Sequence, residues 1–180
     1  MRAAHERAAA RLPYRHAHDF LIGGEARPAD GKARAEVIDP ATGMAWGSVP
    51  DADGAVVDAA VAAARAALPG WAATPPGDRA AALRRMADAV ERGAELLAIT
   101  NSLENGSPLA ETAGAAANAA GILRVFADMS WFLEQPDVRA FPNGVDETVV
   151  ARDPIGVCAL IAPWNFPINL VVIKLAPALL

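Results

Sequence analysis

The chain has 180 residues and a net charge of −5 at neutral pH, with 53% hydrophobic and 21% charged residues. This composition is typical of a globular protein with a buried core and excludes a disordered chain. The acidic balance argues against nucleic-acid binding, which usually leaves a basic surface. The single cysteine, Cys158, rules out an internal disulfide framework and favours a reducing, cytoplasmic location.

The first nineteen residues are rich in alanine, arginine and histidine, and we expect a flexible leader there. They lack the apolar central run of a secretory signal. Glu6 and the near absence of serine disfavour an organelle transit peptide. His5, His16 and His18 lie in this leader, where a flexible segment makes a poor metal site.

Three short strands are predicted next, at residues 20–22, 33–38 and 44–49. Turn-rich stretches separate them, reading GGEARPADG and DPATG. A helix capped by Asp51 or Asp53 then follows, with an apolar stripe at Val57, Val61, Ala64 and Leu68. We expect Pro69 and Gly70 to end it.

Further helices are predicted up to residue 135. One opens at TPPGD, buries Leu83, Met86 and Val90, and breaks at Gly93. Another covers residues 94–104 and stops at NGSP. A long alanine-rich helix comes next, and its stripe of apolar side chains indicates core packing rather than a cofactor site: Ile122, Phe126, Met129 and Leu133.

The last part of the chain changes to β and then to helix. We predict a loop at 135–144, a strand within 145–153, and a second strand at 156–161 that is buried on both faces. A helix beginning at Pro167 follows. The order indicates an incomplete α/β fold, in which strands and helices at 20–135 and an arm at 136–153 lead into the first strand and helix of a Rossmann-like parallel sheet at 154–180.

The apolar run at 154–180 is long enough to cross a membrane. Prolines, asparagines and a glycine interrupt it, and polar groups are costly in hydrocarbon. We therefore predict a buried strand, turn and helix, and no membrane partner. Cys158 falls within the predicted strand, where a thiol is expected to be buried and inert.

Two polar side chains stand out in this run. Asn165 lies between Pro163 and Pro167, which stiffen the turn. Its amide is either a preorganised donor to a developing oxyanion or the cap of the following helix, and the residues alone favour the cap. Lys174 sits two turns into that helix among aliphatic residues, so it either extends to the surface or meets a distant carboxylate or ligand. Pro177 is expected to kink or end the helix.

The segment DPIGVCALIAPWNFPINLVVIKLAPALL resembles the aldehyde dehydrogenase superfamily, whose members carry P-W-N-F-P followed by K-x-x-P-A-L. Upstream, VIDPATG, AALPGW, RAAALRRMADAVERGAELL and LENGSPLAE support the resemblance, which covers nearly the whole chain after the leader. It implies an aldehyde-dehydrogenase-like fold and the NAD⁺- or NADP⁺-dependent oxidation of a small aldehyde through a thiohemiacetal and a thioester.

The resemblance also implies roles for individual residues. Asn165 would donate to the oxyanion, which reverses the preference for the cap, and Lys174 would act in a charge or proton relay. The dinucleotide would lie against Ile161, Ala162, Pro163 and Trp164. A monovalent cation would bind at Val37, Ile38 and Glu104, and residues 145–153 would pair between subunits of a homo-oligomer.

The family's nucleophilic cysteine and general-base glutamate follow this motif at a distance and are absent from these 180 residues. Cys158 is not a substitute, because no histidine is placed to activate it. We therefore expect the chain by itself to be inactive and to expose a strand edge and an apolar helix face. The alternative is a non-catalytic interaction module that pairs with complete subunits through residues 145–153.

Overall fold

The computed structural model describes residues 19–135 and 137–180. Its strands are β1 (Asp19–Ile22), β2 (Glu25–Pro28), β3 (Arg34–Asp39), β4 (Met44–Pro50), β5 (Asp137–Ala140) and β6 (Glu147–Val150). Its helices are α1 (Gly54–Ala72), α2 (Pro76–Arg92), α3 (Ala94–Asn105), α4 (Leu109–Thr112), α5 (Ala115–Asp128), α6 (Trp131–Glu134) and α7 (Pro167–Leu179). The predicted leader lies outside the described residues, except for Asp19, which begins β1.

The strands form three separate antiparallel hairpins, β1 with β2, β3 with β4, and β5 with β6. Gly23 and Gly24, at φ of 65° and 81°, make the first turn, since a two-residue hairpin turn of this kind needs positive φ at both positions. The prediction of a turn across GGEARPADG was therefore wrong for Glu25–Pro28, which pairs with β1. This strand is exposed along its whole length, so it lacks the apolar alternation that marks a strand in a sequence.

The β3–β4 hairpin confirms the second and third predicted strands. Its pairing shifts between Val37 and Ile38, at a β-bulge or similar irregularity. The turn after β3 is built around the buried Asp39, whose carboxylate accepts from the Ala41 amide and the Thr42 hydroxyl, each at 2.9 Å. These bonds satisfy a carboxylate that would be costly to bury alone.

The α1 helix begins as predicted, with the Asp53 side chain accepting from the Val56 amide at 3.0 Å. It does not end at Pro69 but continues to Ala72, where the Trp71 indole donates to the Leu179 carbonyl at 2.9 Å and ties the last turn to α7. The predicted apolar stripe is not buried, because α1 is covered by little of the described protein, chiefly β1 and, at its end, α7.

The core lies where α2, α5 and α7 meet. Leu83 on α2 and Leu123 on α5 are both 0% exposed and are the largest fully buried side chains. Alanines surround them, and small side chains at the contact let the helices approach closely. The predicted stripe on α5 was shifted: Ile122 and Phe126 only border the core, and Met129 is exposed.

The predicted long alanine-rich helix is divided. The short helix α4 stops at Thr112 and α5 begins at Ala115, with Gly114 between them. At the end of α3, Gly106 adopts φ of 79°, and a Cβ there would lie 2.7 Å from the Pro40 ring. The turn after α3 is thus held closely against the β3–β4 turn.

Two expectations for residues 135–161 were wrong. The segment predicted as a loop contains β5, which pairs with the confirmed strand β6. Residues 156–161 form no strand, and Cys158 is exposed rather than buried. A strand needs a neighbour to receive its backbone hydrogen bonds, and no described strand lies beside this segment.

The α7 helix starts at Pro167, as predicted, and continues through Pro177 to Leu179. Of the two effects expected of Pro177, a kink or an end, the end is therefore not seen at this residue. By length and composition alone, α1 is the one helix among residues 19–135 and 137–180 that could cross a membrane. This feature is common in helices that never enter a bilayer.

Candidate functional site

A polar cleft of about 210 Å³ opens between the α3–α5 region and the start of α7. Four asparagine residues line it, at positions 101, 118, 165 and 169. The remaining lining residues are Ser107, Glu111, Thr112, Gly114, Ala115, Phe166 and Ile168. The cleft is therefore a surface rich in neutral hydrogen-bonding groups, with the proline-flanked turn at its edge.

Asn165 lies on this turn with its side chain exposed. Among the described residues, its carboxamide makes no hydrogen bond, whereas its backbone carbonyl accepts from the side chain of Asn105 at 3.3 Å. The cap position of α7 is occupied by Phe166, and no side chain caps the helix there. The geometry thus leaves the Asn165 amide available to a ligand rather than engaged at the helix end.

The sequence offered no role for Asn105, which holds the end of α3 together. Its Nδ2 donates to Asn101 Oδ1 at 2.8 Å, and its Oδ1 accepts from the Ser107 amide at 2.9 Å. Asn101 is buried, so this side chain has a fixed partner inside the protein. The only signal in the sequence was the Asn105–Gly106 pair, which predicts a turn and nothing more.

Asn169 adds a second polar feature to the cleft. Its Oδ1 is buried and has no hydrogen-bond partner among the described residues. A buried acceptor without a donor is costly, so such a group is often completed by water or a ligand. This side chain therefore adds to the capacity of the cleft to bind a polar molecule.

Lys174 is half-buried on α7 and does not line the cleft. Its neighbours Val171 and Ile173 are exposed, so the aliphatic surroundings predicted for it are only partly present. Within the described residues, no hydrogen bond or ion pair involves its ammonium group. Of the partners considered for Lys174, a carboxylate is therefore not found within the described residues.

The segment before Asn165 forms an open apolar surface. Ile161 is 81% and Trp164 is 77% exposed, and Pro163 is exposed between them. Ala162 is half-buried. Because this segment pairs with no described strand, its backbone polar groups also remain available to a ligand.

The predicted cation residues lie on elements that contact each other, since α3 packs against β3. The irregular pairing falls between Val37 and Ile38, where a bulge frees backbone groups from the ladder. Glu104 keeps exposed surface, and its partial desolvation raises the pKa of its carboxyl. Among the residues described, no cluster of three or more histidine, cysteine or acidic side chains forms a metal site.

Comparison with known proteins identifies the family of this chain. The model of the aldehyde dehydrogenase family matches residues 27–180. This chain belongs to the aldehyde dehydrogenase family. The resemblance inferred from PWNFP and K-x-x-P-A-L is thereby confirmed, as is the expectation of an aldehyde-dehydrogenase-like α/β fold.

A curated relative, geranial dehydrogenase of Castellaniella defragrans, is 40% identical over 91% of this chain and 34% of its own length. The solved succinate-semialdehyde dehydrogenase of Burkholderia pseudomallei is 42% identical, with a TM-score of 0.82 over 90% of this chain and 33% of that one. An NADP-dependent enzyme of E. coli is 34% identical, with a TM-score of 0.84 over 94% of this chain and 34% of that one. The chain therefore spans about one third of the length of these relatives.

Proposed function

We propose that this chain supplies the first third of an NAD⁺- or NADP⁺-dependent aldehyde dehydrogenase that oxidises an aldehyde to a carboxylic acid. The observation that carries the proposal is the unengaged carboxamide of Asn165 on a proline-flanked turn beside a polar cleft. Family membership supplies the reaction class, and the matched third of the relatives supplies the extent.

In this proposal Asn165 stabilises the oxyanion that forms when a thiolate adds to the aldehyde. The thiolate and the base come from the remainder of the polypeptide. Pro163 and Pro167 fix φ on either side of the amide, so the donor needs little reorganisation at the transition state. Such preorganised donors contribute much of the rate enhancement in acyl-transfer sites.

We propose that Ile161, Ala162, Pro163 and Trp164 form one wall of the dinucleotide site. Their exposed apolar side chains and unpaired backbone groups fit a flat, partly polar ligand such as a nicotinamide dinucleotide. When bound, this cofactor would accept the hydride from the substrate. The contribution of these residues is to hold one face of the cofactor and to exclude water from it.

Further roles complete this proposal. Lys174 would act in a charge or proton relay after pairing with a group from the rest of the polypeptide. Val37, Ile38 and Glu104 would bind a monovalent cation, and residues 145–153, which contain β6, would pair between subunits of a homo-oligomer. We propose a cytoplasmic location from the single cysteine.

The test is substitution of Asn165 by alanine in the complete enzyme. Loss of one oxyanion donor should lower kcat by about a hundredfold or more, with a smaller change in KM. Asn118→Ala is the matched control, because it removes another carboxamide from the same cleft but not from the turn. An unchanged kcat in Asn165→Ala would contradict the proposal.

A second experiment concerns the chain by itself. Residues 1–180 should reduce neither NAD⁺ nor NADP⁺ with any aldehyde, because the thiolate and the base are missing. Robust turnover by this segment would contradict the proposal that the thiolate and the base come from the remainder of the polypeptide. Co-expression with complete subunits tests the alternative, since an interaction module would co-purify with them through the β5–β6 hairpin and alter their activity.

A further inference from the structure

The hydrogen bonds of Asn105 connect a rigid part of the protein to the catalytic turn. Its Nδ2 donates both to Asn101 Oδ1, at 2.8 Å, and to the Asn165 carbonyl, at 3.3 Å. Its Oδ1 accepts from the Ser107 amide at 2.9 Å. The acceptor and both donor hydrogens of this carboxamide are therefore in use.

The donor side of this connection is fixed in place. Asn105 is the last residue of α3, and Asn101 lies one turn earlier with its side chain buried. The following Gly106 leaves no room for a Cβ against the Pro40 ring, so the turn after the helix is also constrained. The orientation of the Asn105 amide is thus set by the fold and not by the ligand.

The turn that carries the accepting carbonyl of Asn165 has little other support. Residues 151–166 contain no helix or strand, and both aromatic neighbours of Asn165, Trp164 and Phe166, are exposed. Within residues 19–135 and 137–180, the bond from Asn105 is the one hydrogen bond that ties Asn165 to another element. The flanking prolines restrict φ, but they do not fix where the turn lies relative to the cleft.

Holding this carbonyl limits where its peptide plane can lie relative to α3, and that plane contains the Asn165 Cα from which the side chain extends. The bond from Asn105 leaves the Asn165 carboxamide itself unoccupied. We propose that Asn105 is a positioning residue that aims the Asn165 amide at the developing oxyanion. This inference rests on the proposed function of Asn165.

Asn105→Asp is the most informative variant. The carboxylate still accepts from the Ser107 amide, but it can donate neither to the Asn165 carbonyl nor to Asn101 Oδ1. A displacement of a catalytic donor by about 1 Å costs up to a hundredfold. We therefore expect kcat of the complete enzyme to fall tenfold to a hundredfold, a range set by that roughly hundredfold limit, with KM nearly unchanged.

The deciding measurement is a double-mutant cycle with Asn165→Ala, which removes the carboxamide but keeps the carbonyl. If Asn105 acts through the Asn165 side chain, Asn105→Asp should have almost no further effect on kcat in the Asn165→Ala background. An equal loss in both backgrounds would assign Asn105 a general structural role and overturn the proposal. Asn105→Ala, which also loses the Ser107 bond, should lower kcat by at least as much as Asn105→Asp.

The outcomes separate this inference from the proposed function. A large loss in Asn165→Ala with none in Asn105→Asp overturns the positioning role and leaves the oxyanion role of Asn165 intact. No loss in Asn165→Ala overturns both. Failure of both Asn105 variants to fold, judged by circular dichroism, would show that the residue serves stability and would also overturn the proposal.

Discussion

Replacement of Leu123 by alanine tests the core that positions the candidate site. This side chain lies on α5, is 0% exposed, and contacts the cluster formed by α2, α5 and α7. Since α7 begins at the proline-flanked turn, the same cluster holds the helix that follows the turn. Val125→Ala is the matched control, because Val125 lies on the same helix and is 60% exposed.

The expected cost follows from the surroundings of Leu123. Leucine-to-alanine changes in cores cost about 2–5 kcal/mol, and the value depends on how far neighbours move into the space. The neighbouring buried residues on α5 are Ala119, Ala120 and Ala127, whose single methyl groups cannot fill a cavity by changing rotamer. The loss should therefore exceed the lower end of the range and lie at about 3–4 kcal/mol.

Urea unfolding followed by far-ultraviolet circular dichroism measures this loss as a shift of the midpoint at constant slope. The corresponding fall in Tm is about 6–16 °C for a chain of this size. Val125→Ala should stay within about 0.5 kcal/mol of the parent protein. A loss below about 1 kcal/mol for Leu123→Ala, or an equal loss for both variants, would refute the assignment of the core.

The other predictions concern backbone strain and titration. Gly106→Ala should destabilise by more than about 1 kcal/mol, and by more than Gly144→Ala, because both have positive φ but only the first meets a proline ring at 2.7 Å; equal unfolding midpoints would contradict this. The hydrogen bond from Lys32, together with the bond from a helix amide, lowers the pKa of Asp53. The ionised Asp53 therefore stabilises the folded protein above the unfolded-state pKa of about 3.9, and this stabilisation is lost as pH falls through the lower pKa of the folded state. Asp53→Asn, which keeps a cap without titrating, should abolish that part of the acid-induced fall in Tm, and an unaltered pH profile would argue against it. Desolvation raises the pKa of Glu104, so the ionised carboxylate opposes folding. Glu104→Gln should therefore raise Tm at pH values above the folded-state pKa of Glu104 but not at pH values below its unfolded-state pKa. The same shift in Tm at both pH values would exclude desolvation of this carboxylate as the cause.

Local chemistry made the helix starts and the turns predictable. Asp53 caps α1, Pro167 begins α7, and Gly106 takes the left-handed conformation that ends α3. Each of these features depends on a few neighbouring residues, whose side chains or ring restrict the backbone directly. The same locality explains why the β3–β4 hairpin was also predicted.

Predictions of burial were wrong where no described element packs against the segment that was expected to be buried. Residues 156–161 are apolar enough for a buried strand but have no described strand beside them. Cys158 is therefore exposed, and the apolar stripe of α1 is uncovered. An apolar pattern in a sequence shows which residues are suited to burial. Whether they are buried depends on which other elements pack against them.

By itself the sequence determined the family, the reaction class it implies, and the identity of the proline-flanked amide at Asn165. Only the tertiary structure showed that Asn165 borders a polar cleft and that Asn105, sixty residues earlier in the chain, donates a hydrogen bond to the Asn165 backbone carbonyl. The physical reason is that a motif consists of residues that are neighbours along the chain. A hydrogen bond between distant residues instead depends on how packing brings α3 and the proline-flanked turn together.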